Sequence, residues 1–596
     1  MKQFFGSLLG ALIGVVLATI IAVFIIIGAI SSAFSDKDVV NVKDESVLEI
    51  ALKGPIVERE PKSEFAKFAG FGDEKNLGLD AIVDAIKRAK DDEKIKGIFL
   101  NTEDIDAGMA TVEEIRVALL DFKTSKKFIY AYGETYSQKG YYLASVADKV
   151  MLNPQGGMDF KGIGGEVMFY KKMLEKLNIN VQIFRHGKFK SAVEPFDLEK
   201  MSEANRLQTL TYINAMWNQM LIGISAQRGL SVEQLNTIAT NLSIRTANDA
   251  VTNKLVDEVL YYDQVLTQLK TKLGKKEEDK INLISITKYI EAGDNPDDKD
   301  KVVSKNKIAV IYAVGSIESG EGDDETIGSE RIAKAIRDAR ADSTIKAVVL
   351  RVNSPGGSAL ASDVIWREVT LCKEEKPFIV SMGDVAASGG YYISCAADVI
   401  VAEPNTITGS IGVFGLIPEA GTLMSETFGI TIDTVNTNKN AGIGSVFRPV
   451  NELEAQVIQQ GVEDVYLTFI TRVADGRGMA VADVDSIGQG RVWAGTDALR
   501  IGLVDTLGTL DDAIEIAARR AKLGDDYRIK KLPVQKDPFE EFLNGDSEEI
   551  KTKMTEAFVV QQLSVFKEQY FVFRRSQILL NAKGVQARMP YDIIVE

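Results

Sequence analysis

The chain has 596 residues, of which 45% are apolar and 26% charged, and carries a formal net charge of −15. That length exceeds what one hydrophobic core serves and implies two to four domains at about 100–200 residues each, while the acidic balance excludes the concentrated basic surface that nucleic acid requires. Two cysteines, Cys372 and Cys395, and a single histidine, His186, exclude a disulfide framework and a four-ligand zinc site; any Ser-His-acid hydrolase here would have to use His186.

The first element in chain order is apolar. Gln3 to Ser35 has no charged residue, and Leu8 to Ile30 is almost continuously hydrophobic, enough to cross a hydrocarbon core of about 30 Å as a helix. Cleaved signal peptides have apolar regions of about 7–15 residues, so residues 1–45 are expected to form a retained anchor with its helix at about 5–31. Lys2 ahead of the stretch, with no basic cluster after it, places the N-terminus inside and the body outside, on the periplasmic face if the cell is bacterial.

An internal repeat organises the remainder. Phe128-Ile-Tyr-Ala-Tyr-Gly133 and Gly140-Tyr-Tyr-Leu-Ala-Ser-Val-Ala-Asp148 recur as Phe378-Ile-Val-Ser-Met-Gly383 and Gly390-Tyr-Tyr-Ile-Ser-Cys-Ala-Ala-Asp398, at a constant offset of 383 − 133 = 250. Ile95–Leu100 matches Ile345–Leu350 at the same offset. Two copies of one domain are therefore expected, over 46–300 and 301–540, with the charged stretch Glu291–Lys305 as linker. In the second copy Ile308–Tyr312, Ala347–Val352 and Phe378–Ser381 are expected strands, and Ser329–Ala339, Ser362–Lys373 and Gly390–Ala397 expected helices. Such alternation implies an α/β fold with largely parallel strands.

The copies differ where chemistry needs special residues. After its Leu350-Arg351-Val352 strand, copy two has Asn353-Ser354-Pro355-Gly356-Gly357, whose glycines let backbone N–H groups approach a ligand; copy one has Glu103-Asp-Ile-Asp-Ala107. Copy two has Ser388-Gly389-Gly390 ahead of a helix, where copy one has Gln138-Lys139-Gly140. A serine there is an ordinary N-cap on the bland reading and a nucleophile on the sharper one. A nucleophile needs a base, and copy one supplies Lys190 in Phe184-Arg-His-Gly-Lys-Phe-Lys190-Ser-Ala-Val-Glu-Pro-Phe196, opposite Asn440 at the 250-residue offset. To serve, that lysine must lose its proton near neutrality through burial and cationic neighbours; Arg185 and Lys188 would help and Glu194 would oppose.

Lys190-Ser-Ala-Val-Glu-Pro-Phe196, Asn353-Ser-Pro-Gly-Gly357 and Ala387-Ser-Gly-Gly-Tyr-Tyr392 together resemble the signal peptide peptidase A, or protease IV, family of long tandem-repeat type, over almost everything from the anchor to about residue 540. The resemblance implies two Clp-protease/crotonase-like domains after the transmembrane helix and a Ser/Lys dyad shared between them. Ser388 would be the nucleophile, Lys190 the general base and Ser410 of Thr408-Gly-Ser410-Ile-Gly-Val413 the residue that orients the lysine; Phe160 stands at its copy-one offset. Gly356 and Gly357 would offer the oxyanion hole. It further implies a homotetramer on the bacterial inner membrane, remnant signal peptides and other unfolded apolar peptides as substrates, and no cofactor or metal.

Other readings are a His186/Ser pair, a crotonase-like acyl-CoA enzyme with an oxyanion hole and no serine nucleophile, and a non-catalytic membrane scaffold. Whether Cys372 and Cys395 pair is open. The segment 541–596, with Tyr570-Phe-Val-Phe573 and Ile578-Leu-Leu580, is expected to be a helical extension packed on a membrane or a neighbouring protomer.

Overall fold

The structure, a computed structural model, describes residues 40–60, 76–293, 304–535 and 586–588. Among these no helix is long and apolar enough to cross a membrane; the expected anchor helix lies outside the described residues.

Each copy is built on a parallel sheet sandwiched by helices. In the first the strand order is Glu258–Val259, Lys149–Leu152, Phe128–Gly133, Ile95–Leu100, Ser46–Ile50 and Asn282–Ser285, all neighbours parallel. The second runs Val492–Ala494, Ile407–Gly409, Phe378–Ala387, Ile345–Ser354, Lys307–Val314 and Arg528–Leu532, with Val399–Ala402 also on Phe378–Ala387 and only Val492–Ala494 antiparallel. The Lys307–Val314 strand is buried over six consecutive residues, as a strand covered on both faces must be.

The repeat extends to the packing of individual helix faces. Leu79–Asp91 buries Ile82, Val83, Ala85, Ile86 and Ala89, and Ser329–Ala341 buries Ile332, Ala333, Ala335, Ile336 and Ala339, the same positions 250 residues on. Their spacing of three and four residues lays one apolar stripe on the sheet. The second copy's helix Ala359–Lys373 starts three residues earlier than its hydrophobic pattern suggests, because the Ser358 side chain accepts from the Ala361 N–H and caps it there.

Two strands of the second copy outgrow their counterparts. Phe378–Ala387 and Ile345–Ser354 have ten residues each, against six in Phe128–Gly133 and Ile95–Leu100. Both also run past the ends expected from their β-branched cores. The added turn-like residues are held by new partners: Val385, Ala386 and Ala387 pair with Ile407, Thr408 and Gly409, and Ser354 with Ala386.

A third sheet joins the copies. Its order is Thr326–Gly328, Ser316–Glu318, Gly356–Ser358, Gln586–Arg588, Val413–Glu419 and Asn180–His186. Asn180–His186 of copy one lies antiparallel to Val413–Glu419 of copy two along its whole length, from Asn180 opposite Glu419 to His186 opposite Val413. Gln586–Arg588 departs from the helical expectation for the C-terminal extension: it is a strand because it finds backbone partners on both sides. Asp384 of copy two caps copy one's Met109–Lys123 helix, accepting from Ala110 N, Thr111 N and Thr111 Oγ1.

Candidate active site

Ser388 sits at the sharp exit from the Phe378–Ala387 strand with φ 56° and ψ −114°. An L-residue there is strained by roughly 1–3 kcal/mol, and the turn is held by Ser388 N donating to Gly409 O and Tyr392 N donating to Ser388 O, 2.8 Å each. The side chain makes no capping bond to the helix Gly389–Ser394, so the N-cap reading does not hold. In copy one Ser137, extended at φ −67°, caps the equivalent helix through Gly140 N. The helix after Ser388 has only six residues, so its dipole adds little electrostatic help at the serine.

Lys190 follows the antiparallel strand that copy one lends to copy two, and that pairing carries it to Ser388. Its Nζ donates to Ser388 Oγ at 2.8 Å, to Ser410 Oγ at 3.1 Å and to Ser410 O at 3.2 Å. Lys190, Ser388 and Ser410 are all fully buried. Burial lowers the Lys190 pKa well below the ordinary lysine value, since an ammonium without water is disfavoured. The expected cationic help is absent: Arg185 reaches only the Lys190 carbonyl, and Lys188 lies over the Phe189 ring. Nor does Glu194 bond the amine; its carboxylate accepts from Ser202 and Asn205. A neutral amine 2.8 Å from a hydroxyl is placed to take its proton.

Ser410 holds φ 50°, with its N–H on Arg491 O at 2.7 Å, and this turn brings both its oxygens to Lys190 Nζ. Gly356 holds φ 98°, a conformation that requires glycine. Its N–H donates to Ser354 Oγ at 3.1 Å. Gly357 pairs with Ile317, and a Cβ there would lie 2.1 Å from Ile317 O. The turn bearing these glycines packs against the helix after Ser388: a Cβ on Gly390 would lie 2.7 Å from Ser354 O.

Several residues around Lys190 escape the sequence reading. Gly490, at φ 77°, packs on its main chain so closely that a Cβ would sit 2.6 Å from Lys190 N and 2.7 Å from its Cα. Gln489 O accepts from Phe189 N at 2.9 Å. Buried Gln208 donates to Phe189 O and Ser191 Oγ on either side of Lys190 and accepts from Val492 N of copy two. The signal for Gly490 was another asymmetry, since Gly488-Gln489-Gly490 answers to Ala239-Thr240-Asn241 at the offset of 478 − 229 = 249 that relates the αL glycines closing the two long helices; Gln208 had none.

His186 is engaged elsewhere, bonded through Nδ1 to Glu463 and stacked on Tyr466. Cys372 and Cys395 are buried free thiols, each pushed up to about 12 by burial, which marks them as unreactive.

Comparison with known proteins gives the same duplication. The profile of peptidase family S49 matches residues 121–276 and again 370–524. Protease 4 of Salmonella typhi is 42% identical over 452 residues, 74% of this chain and 72% of that protein. Protease 4 of Haemophilus influenzae is 37% identical over 463 residues, 76% and 75% of the two chains, and the chloroplastic serine protease SPPA of Arabidopsis thaliana is 34% identical over 489, 81% and 70%. Among solved structures, ClpP1 from Listeria monocytogenes is 15% identical with a TM-score of 0.24, over 34% of this chain and 94% of that one. With both copies matched and relatives spanning most of its length, the chain belongs to peptidase family S49 and is a serine peptidase of the protease 4 type.

Proposed function

We propose that this peptidase cleaves apolar peptides by a Ser388/Lys190 dyad. The observation that carries this reading is the fully buried Lys190 Nζ at 2.8 Å from Ser388 Oγ. Neutral Lys190 takes the hydroxyl proton as Ser388 Oγ attacks the peptide carbonyl. The backbone N–H groups of Gly356 and Gly357 hold the oxyanion, a donor typically contributing about 3–4 kcal/mol, once the substrate oxygen replaces Ser354 Oγ at Gly356. Protonated Lys190 then gives its proton to the leaving amine, and water hydrolyses the acyl-enzyme. Ser410 orients the amine throughout. In this reading each repeat has the Clp-protease/crotonase fold, and neither copy forms a site alone.

The substrate binds as an extended strand. Gln586–Arg588 lies antiparallel both to Gly356–Ser358 and, through Gln586, to Phe414 of Val413–Glu419, which supports a slot that recognises peptide main chain by strand addition. Remnant signal peptides fit as substrates, because the apolar stretch near the N-terminus would anchor the enzyme in the inner membrane where they are released, its body on the periplasmic side and assembled as a homotetramer.

The test is hydrolysis of a synthetic apolar signal-peptide fragment by the detergent-solubilised full chain, with Ser388→Ala, Lys190→Ala and His186→Ala variants. The first two are expected to be inactive and the third active. Activity in Ser388→Ala ends the serine-nucleophile reading; activity in Lys190→Ala with loss in His186→Ala ends the lysine assignment.

A further inference from the structure

The two long strands of copy two do not pair continuously. Val352 is opposite Met382 and Ser354 opposite Ala386, so Asn353 alone faces Gly383, Asp384 and Val385. This is a large bulge, and it interrupts the ladder three residues before Ser388 and three before Gly356. The Asn353 side chain fills the gap: its Oδ1 accepts from Val385 N at 3.1 Å. Its carbonyl accepts from Gly315 N at 2.9 Å.

An asparagine amide can turn over, and here copy one fixes which way it points. Asn353 Nδ2 donates to Glu58 Oε1 at 2.9 Å, while Glu58 Oε2 accepts from Arg351 Nε at 2.9 Å. Arg351, fully buried, also contacts Glu114 Oε1 at 2.6 Å and donates to Ser381 Oγ at 2.9 Å. Gly383 leaves room for this, since a Cβ there would lie 2.5 Å from Glu58 Oε1. Glu58 and Glu114 come from copy one; Arg351, Asn353, Ser381 and Val385 come from copy two. With an acceptor on one side and an N–H donor on the other, the amide has a single satisfied orientation.

We infer that Glu58 and Asn353 are positioning residues, which fix the Gly356-Gly357 strand relative to the Ser388 turn so that one copy of the repeat sets the oxyanion geometry of the other. The inference rests on the assignment of those glycines and of Ser388 above. Neither residue touches substrate. A misplacement of about 1 Å costs on the order of 100-fold in rate, so the bridge acts on kcat.

The experiment compares full-length Asn353→Ala, Glu58→Gln and the swap Glu58→Gln/Asn353→Asp in peptide hydrolysis, thermal unfolding and fluorophosphonate labelling. In the swap the new amide donates to the new carboxylate, which still accepts from Val385 N, and the charge count is unchanged. Both single variants are expected to lose about tenfold or more in kcat with little change in KM. The swap should recover most of that loss, and the pH profile of all three should match the wild type, because Lys190 is untouched. Wild-type kcat in either single variant, loss confined to KM, or a swap that fails to fold or recovers its unfolding temperature without its kcat overturns the inference. Wild type that neither cleaves peptide nor labels at Ser388 overturns the dyad reading instead.

Discussion

Lys190 Nζ and Ser388 Oγ lie 2.8 Å apart across 198 residues of sequence, and each comes from a different copy of the repeat. The juxtaposition depends on one strand pairing, Asn180–His186 on Val413–Glu419. The two copies share one α/β scaffold, but the glycine turn and the serine stand on one and the buried lysine on the other.

The proposed dyad would set a pH dependence whose sign follows from the lysine. Protonated Lys190 cannot accept a proton, so kcat/KM should rise with pH through the free enzyme's Lys190 pKa. Burial holds that pKa well below the ordinary lysine value, and the rising limb should appear correspondingly far below it. Ser388→Ala and Lys190→Ala should each reduce kcat by about 10⁴-fold or more. A wild-type profile that keeps climbing to the ordinary lysine range, measured on one peptide at constant ionic strength, would show that burial does not tune the base.

The same burial costs stability. The unfolded chain binds a proton at Lys190 up to its usual pKa of about 10.4, whereas the folded chain releases it at lower pH. Wild-type stability from this group therefore rises with pH between the folded and unfolded values. Lys190→Met keeps the volume and removes the titration. It should unfold about 2 °C or more above wild type at pH 7, with the gap closing towards pH 10.5. A variant less stable than wild type at pH 7, by calorimetry, contradicts this.

Much of this arrangement is legible in the chain, and the reasons for the exceptions are physical. The repeat and the three asymmetric motifs are local, so Ser388, the glycine pair and the α/β alternation can be read directly. Ser410 is legible only through family resemblance, and Lys190 only as a candidate base, because nothing in Phe189-Lys190-Ser191 says that the lysine is buried. Tertiary contact decides that: Gln208 clasps both neighbours and Gly490 lies on the main chain. The Phe378–Ala387 strand runs past its expected end at Ser381 because Val385-Ala386-Ala387, which has no β-branched run, is held extended by Ile407-Thr408-Gly409.

Gly490 offers a direct check on that packing. Gly490→Ala would place a Cβ 2.7 Å from Lys190 Cβ at a φ of 77°, and should lower stability by about 1–3 kcal/mol and kcat by about tenfold. Gly461, in the helix Glu452–Arg477, is the control: a Cβ there meets nothing within 4 Å, and Gly461→Ala should be stabilising by about 0.5–1 kcal/mol with unchanged kcat. Equal effects from the two substitutions would remove the case for a Lys190 platform.

Gln586–Arg588 occupies the edge of Gly356–Ser358, with Gly356 opposite Arg588 and Gly357 opposite Ala587. A substrate strand that used the same edge would have to displace it. A tethered competitor acts at a high effective concentration, often millimolar, so a chain lacking residues 586–596 should show KM lower by about tenfold with kcat little changed. A synthetic peptide spanning 583–591 should then inhibit the truncated enzyme competitively and the full chain less. Progress curves on the apolar peptide decide it: if truncation leaves KM unaltered and the peptide does not compete, the substrate strand takes a different edge, and Gln586–Arg588 is a structural strand of the sheet joining the two copies.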